Sequence, residues 1–156
     1  MPIKIFNEKE KAGIEKQLHE KFGIKSLPGK ILMLGAERLF FFTGELSDEE
    51  LKKIELITPI EKIGCYFAKL IDEKIKLTIE GTQILKNQIS KNIFEINEKQ
   101  AEEWMSGREL NIKTGMKGFV VIKNQKTEDL LGCGKASENK ITNFIPKSRR
   151  LKNREK

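Results

Sequence analysis

Few residues of this chain have the chemistry to make or break bonds, and their spacing decides what they can do. His19 is the only histidine and stands four residues after Glu15, the helical spacing at which the two side chains can meet. A role as catalytic base would need a nucleophile or a substrate pocket beside it. No motif supplies either, so His19 reads as a surface or rim residue in an i,i+4 pair. Cys65 lies in an apolar run between Gly64 and Tyr66, and Cys133 lies between two glycines. A reactive thiol needs a helix N-terminus or a cation to lower its pKa. Lys135 would share a strand face with Cys133, but both thiols read as buried and inert. Phosphate-binding loops fare no better. Gly134-Lys135 is followed by Ala136, with Asp129 where the first glycine should be, and Gly29-Lys30 is followed by Ile31. Both break the G-x-x-x-x-G-K-[ST] pattern. Gly132-Cys133-Gly134 lacks the third glycine of a dinucleotide fingerprint. One histidine and two cysteines 68 positions apart do not make a metal site. No catalytic residue, cofactor or metal ligand is assigned.

What remains is the capacity to hold an anion. In a strand, alternate side chains face opposite sides, so Gly132, Gly134 and Ala136 share one face, and Leu131, Cys133 and Lys135 the other. The glycine face is nearly bare, which allows either tight packing inside a small barrel or the close approach of a ligand backbone. Pro146 ends the last strand and aims Lys147-Ser148-Arg149-Arg150 away from it. Arginine grips phosphate bidentately, and lysine acts as a point charge.

These groups must be positioned by regular elements. Asn7 and Glu10 form a capping box before a helix over about 8–22, with Ile14, Leu18 and Phe22 on one stripe and Gly23 at its end. After the Pro28-Gly29 turn, Lys30 to Leu34 and Arg38 to Phe42 read as a hairpin. In the Phe40-Phe41-Phe42 run, Phe41 opposes the other two, so one aromatic face is expected in the core and the other at an interdomain or protein contact. Ser47 and Glu50 cap a second helix with Leu51 and Ile54 inward, and Pro59 ends it. Residues 63–71 and 75–85 read as strands around an Asp72-Glu73 turn. Asn97 and Gln100 cap a helix carrying Ala101, Trp104 and Met105, closed by Gly107; Trp104 is placed in its core. Short strands follow near Leu110 to Ile112, at Gly118 to Ile122, Asp129 to Ala136 and Lys140 to Ile145. Short strands with tight turns and one small helix suggest a compact β-barrel.

Charge is distributed unevenly along the 156 residues. The formal net charge is +7, yet residues 1–75 are balanced, with 13 basic and 13 acidic side chains. Residues 76–156 hold 17 basic against 10 acidic. Such a basic half points to a polyanion or to a solvated tail. With 38% apolar residues the chain is expected to be globular, with no run long enough to cross a bilayer. The N-terminal MPIKIFNEKEKAGIEK has no apolar core ahead of its charges, so no secretory signal is read. A cytoplasmic monomer with free thiols and no membrane partner is expected.

The run L-G-C-G-K, followed by N-F-I-P-K-S-R-R-L and preceded by W-M-S-G-R-E-L, resembles the PUA-like C-terminal region of the Sun/Fmu family of rRNA cytosine-5 methyltransferases. The specific likeness covers about residues 100–151. The chain also resembles small archaeal ribosome-biogenesis proteins that keep this region without the catalytic domain. The family's methyltransferases use a cysteine after proline and another after threonine, in a domain that binds S-adenosylmethionine. Here Cys65 and Cys133 each follow glycine, so the activity is not carried over.

The resemblance implies an α+β protein: a small N-terminal α/β (pre-PUA) domain over 1–75, a PUA-like β-barrel over 76–151 that binds RNA, and a basic tail over 152–156. It implies a shape-reading groove between helix and sheet. Arg108, Lys113, Lys117, Gly132, Gly134, Lys135, Asn143, Lys147, Arg149 and Arg150 are the expected RNA contacts. The expected partner is structured rRNA ahead of tRNA, in ribosome biogenesis or rRNA modification, with a pre-ribosomal particle or RNA-modifying enzyme beside it. A protein-interaction subunit that uses the N-terminal domain is the alternative. A hydrolase is disfavoured, for want of a carboxylate–lysine constellation.

Overall fold

The computed structural model describes residues 3–58, 60 and 63–151. Pro59 and the tail over 152–156 lie outside the described residues. The elements run β1 (Ile3–Ile5), α1 (Glu8–Phe22), β2 (Lys30–Leu34), β3 (Arg38–Phe42), α2 (Asp48–Ile57), β4 (Cys65–Ile71), β5 (Lys74–Leu77), α3 (Ile79–Ile84), β6 (Ile93–Ile96), α4 (Glu98–Met105), β7 (Gly118–Asn124), β8 (Leu130–Ser137) and β9 (Lys140–Asn143). Short 3-10 turns occupy Lys86–Gln88 and Lys147–Arg149. The expected α+β class is observed: an α/β half is followed by a β-rich one. Among the described residues, no helix is long and apolar enough to cross a membrane.

Capping boxes start three helices. The side chains of Asn7, Ser47 and Asn97 accept from the amides of Glu10, Glu50 and Gln100, and those residues accept in return from the cap amides. Gly23 closes α1 at φ 80°, a left-handed conformation that glycine adopts without a Cβ penalty. Asn97→Ala leaves a donor at the start of α4 without its partner and is expected to cost about 1 kcal/mol, read as a lower urea midpoint at an unchanged slope.

The first sheet is an antiparallel meander, β1-β2-β3-β4-β5, and the second has the order β6-β7-β8-β9. In the second, β6 runs parallel to β7, so α4 and the chain to residue 117 form the crossover that a parallel pair requires. The stretch expected as a strand at Leu110 to Ile112 contributes a single bridge, Leu110 to Ile141.

Three apolar clusters tie these layers together. One joins Ile14, Leu18 and Phe22 of α1 to Leu39, Phe41, Phe67 and Leu77 of the first sheet, and to Phe119, Val121 and Cys133 of the second. The two halves therefore share a core. A second cluster surrounds Trp104 with Val120, Ile122, Ile141 and Ile145. A third packs Leu51 of α2 on Ile3, Leu32, Leu34 and Phe40. Phe41 stacks on Phe67, and Phe40 on Tyr66, so the aromatic run does split between two faces, both buried.

Two expectations need correction here. The strand expected over 75–85 stops at Leu77 and turns into α3. The Thr78 hydroxyl donates to the Tyr66 carbonyl at 2.9 Å and accepts from the Gly81 amide at 2.9 Å, which caps a helix where alternation alone suggested a strand. Ile54 is 37% exposed, because α2 presents only its Leu51 face to the sheet. Strands β1 and β6, three and four residues long, were not expected at all.

Candidate nucleic-acid interface

The glycine face of β8 is not a surface. Gly132, Gly134 and Ala136 are buried, and Trp104 of α4 lies against Gly134 and clusters with Ala136. A Cβ on Gly134 would meet the Trp104 ring at 2.6 Å, the Thr142 carbonyl oxygen at 2.9 Å, and Ile141. Gly132 takes φ 84°, and a Cβ there would meet Ile79 at 3.1 Å. The bare strip lets the indole and β9 approach the strand closely. Gly132 and Gly134, expected as RNA contacts, are packing residues. Cys133 points the other way into the shared core, and burial pushes its thiol up to about 12, which makes it inert as expected.

Asn143 is also occupied internally. Its amide donates to the carbonyls of Trp104 at 2.7 Å and Arg108 at 2.9 Å, and its carbonyl accepts from the Ile145 amide at 2.7 Å. It therefore ties the end of α4 to β9. Arg150 Nε donates to the Ile145 carbonyl at 2.9 Å, and its side chain packs on Gly107. Arg149 pairs with the Glu80 carboxylate. These three residues order the end of the domain before they can do anything else. Arg108, next to the Gly107 on which Arg150 packs, and Lys147 are both exposed.

Lys113 and Lys117, in the connection between α4 and β7, and Lys135 on β8 are also exposed. Thr114 fastens that connection to the β8–β9 hairpin: its hydroxyl donates to the Ser137 carbonyl, and its amide donates to the Glu138 carbonyl at 3.0 Å. Lys135 stands opposite Phe119 and Thr142. Lys117 joins Lys21 and Lys74 around a cleft that Phe119 floors. Among the described residues, no carboxylate pairs with Arg108, Lys113, Lys117, Lys135 or Lys147. His19 is exposed. Its expected partner Glu15 instead accepts from the Leu27 amide at 2.8 Å, which lies in the loop between α1 and β2.

A larger cleft of about 730 Å³ opens between the two halves. Arg38, Tyr66, Lys76, Glu80, Phe144 and Arg149 are among the residues that line it. Lys76 sits over the Phe144 ring at 4.4 Å, and Phe144 meets Phe119 edge-on at 6.1 Å. Burial, and then the charge of Lys69, hold the Lys76 ammonium below the usual lysine range. Arg38 and Lys76 were not expected as site residues. Among the described residues, no cluster of His, Cys, Asp and Glu could hold a metal ion.

Comparison with known proteins agrees with this architecture. Residues 91–151 match the family described as the methyltransferase RsmF PUA domain. The chain is 26% identical over 148 residues to ribosomal RNA small subunit methyltransferase F of Shewanella oneidensis, an alignment that covers 94% of this chain and 29% of that protein. The chain thus spans less than a third of its relative's length, and the family match covers the PUA domain alone. Among solved structures, a PUA domain of Aeropyrum pernix K1, crystallised with tartrate, superposes with a TM-score of 0.53 at 10% identity, over 94% of this chain and 86% of that one. A hypothetical protein of Pyrococcus horikoshii OT3 superposes with a TM-score of 0.58 at 11% identity, over 92% and 94%. The two likenesses show the fold: an α/β half followed by a PUA-like half. The likeness read from the L-G-C-G-K and N-F-I-P-K-S-R-R-L runs agrees with these matches: residues 91–151 are similar to the PUA domain of the methyltransferase RsmF.

Proposed function

We propose that this chain is a non-catalytic RNA-binding protein that holds structured rRNA in ribosome biogenesis or rRNA modification, as a cytoplasmic monomer. In this reading residues 1–75 are a pre-PUA domain and residues 76–151 the RNA-binding one. The observation that carries the reading is the set of exposed cations without carboxylate partners, Arg108, Lys113, Lys117, Lys135 and Lys147, on a PUA domain. Each such cation that meets a phosphate releases counterions, so affinity falls steeply with salt. A-form RNA presents phosphates and 2′-hydroxyls across a shallow minor groove, which suits basic side chains held on a rigid sheet.

Arg108→Gln with Lys147→Gln, and separately Lys113→Gln with Lys135→Gln, are expected to weaken binding to an rRNA hairpin. Each pair should flatten the log–log salt slope by about two, roughly one for each phosphate that is no longer neutralised, at an unchanged urea midpoint. An unaltered slope in both variants would remove these residues from the interface. Substituting Arg150 is a poorer test, since its internal hydrogen bond would confound fold with binding. Stronger retention of tRNA than of rRNA fragments would overturn the choice of RNA.

The second reading, an accessory subunit for an RNA methyltransferase or assembly factor, is favoured by one feature. Leu56 and Ile57 at the end of α2 are 87% and 84% exposed, an apolar pair on the N-terminal half. Stoichiometric co-purification with a protein, lost in a Leu56→Ser/Ile57→Ser variant and unaccompanied by RNA, would favour it.

A further inference from the structure

The first sheet carries a row of like charges. In the β3–β4 and β4–β5 pairings, Arg38 stands directly opposite Lys69, and Lys69 directly opposite Lys76. Directly opposed residues in an antiparallel pair share a face with their Cβ atoms about 5 Å apart, and like charges so placed destabilise the sheet. Glu37 lies 3.3 Å from Lys69 and offsets part of this charge. Nothing in the folding of the strands requires this arrangement, because apolar or uncharged polar residues would fill the same half-buried positions at lower cost.

The row runs into the cleft between the halves. Arg38 and Lys76 both line it, and aromatic rings alternate with them. Arg38 lies over Phe40 at 6.0 Å, Phe40 stacks on the half-buried Tyr66 at 5.2 Å, and Lys76 covers Phe144. Glu80 and Arg149, which pair with each other, line the same cleft. Cations interleaved with aromatic rings are the composition of surfaces that hold single-stranded nucleic acid, where phosphates meet the charges and bases meet the rings. A volume of about 730 Å³ falls within the range of pockets that enclose one small molecule. Such a pocket is concave, and a continuous duplex cannot follow it; an unpaired nucleotide splayed from a helix can.

We propose that this cleft takes one unpaired nucleotide of a bound RNA, its phosphate against Arg38 and Lys76, the two members of the row that line it, and its base between Tyr66 and Phe144. The inference rests on the RNA-binding reading and deepens it: the PUA surface grips the paired stem, and the cleft selects a stem with a nucleotide to offer. An incoming phosphate relieves the repulsion within the row. An acidic peptide would also meet the charges but would leave the aromatic walls unused.

The test uses the full chain and two RNA hairpins, one with a single-nucleotide bulge whose base is 2-aminopurine, the other fully paired. The bulged hairpin is expected to bind roughly tenfold more tightly, with its fluorescence quenched as the base stacks. Lys76→Gln should abolish both the preference and the quenching while leaving the paired hairpin's affinity unchanged. Lys69→Gln should reduce the preference in the same direction. Lys9→Gln, an exposed lysine on α1, which packs on the other face of the sheet, matches the charge change and should leave the preference intact. Equal urea midpoints would establish that the variants fold. If paired RNA binds and the bulge preference is absent, or survives Lys76→Gln, the cleft proposal is overturned and the RNA-binding reading stands. If neither hairpin binds, both fall. Displacement of the bulged base by an oligoglutamate peptide at matched charge would reassign the cleft to an acidic peptide.

Discussion

Trp104→Ala is expected to unfold much of the C-terminal half, at a cost of about 3–5 kcal/mol. The indole is fully buried and fills the centre of the cluster formed by Val120, Ile122, Ile141 and Ile145. Its Nε1 donates to the Leu131 carbonyl at 2.9 Å, so truncation also strands a backbone acceptor. Against a total stability of about 5–15 kcal/mol, that loss is decisive. Trp104→Phe keeps most of the ring and loses the hydrogen bond, so it should cost roughly 1–3 kcal/mol. The chain has one tryptophan, and both variants need urea melts followed by far-UV circular dichroism. A cost below about 1 kcal/mol for Trp104→Ala would mean that the ring does not hold α4 on the sheet.

Trp104 was legible in the sequence because its environment is local. The Asn97–Gln100 capping box and the Ala101–Trp104 spacing define a helix and its buried stripe without reference to anything distant. The same holds for α1 and for the β2–β3 hairpin, whose bounds follow from Asn7, Gly23 and the two apolar runs. The failures have a different physics. The alternation through Ile75, Leu77 and Ile79 persists across the β5–α3 junction, yet the chain coils after Thr78. Gly81 lies against the Phe67 carbonyl, an approach that glycine permits and that only the tertiary fold reveals. Strands β1 and β6 are too short to carry a periodic signal and exist through their partners, β2 and β7.

The site divides along the same line. The C-terminal cations were visible as a charge excess, and the resemblance to a PUA-like region suggested their setting. Which of them point outward was settled by hydrogen bonds that no local pattern encodes: Asn143 to Trp104 and Arg108, and Arg150 to Ile145. Two of the three cations in the row were nevertheless within reach. A two-residue turn at Asp72-Glu73, both residues at positive φ, fixes Lys69 opposite Lys76 by counting outward from the turn. Arg38 joins them only through the β3–β4 pairing, in which a bulge shifts the register beside Leu39. Net charge hid the row as well, because Arg38 and Lys69 lie in the balanced stretch 1–75 and only Lys76 falls in the basic one.

Gly134→Ala separates the two roles open to the glycine strip. As a surface against which RNA lies, the strip would accept a methyl group with little change in stability and a loss of affinity. As a packing face, it cannot accept one. The added carbon would meet the Thr142 carbonyl oxygen at 2.9 Å, and that oxygen belongs to β9, which is fixed in register against β8. The Trp104 ring on the other side is held by its own hydrogen bond. Overpacking of this kind costs about 1–3 kcal/mol and sometimes more, so the urea midpoint should fall while RNA affinity per folded molecule stays as it was. The cost should also depend on the indole. Trp104→Ala removes one of the groups that oppose the new methyl, so the double variant should lose less than the sum of the single losses, by more than the roughly 0.5 kcal/mol within which independent sites add. Strict additivity would place the strain on β9 alone. An unmoved midpoint with weakened RNA binding would return Gly134 to the interface.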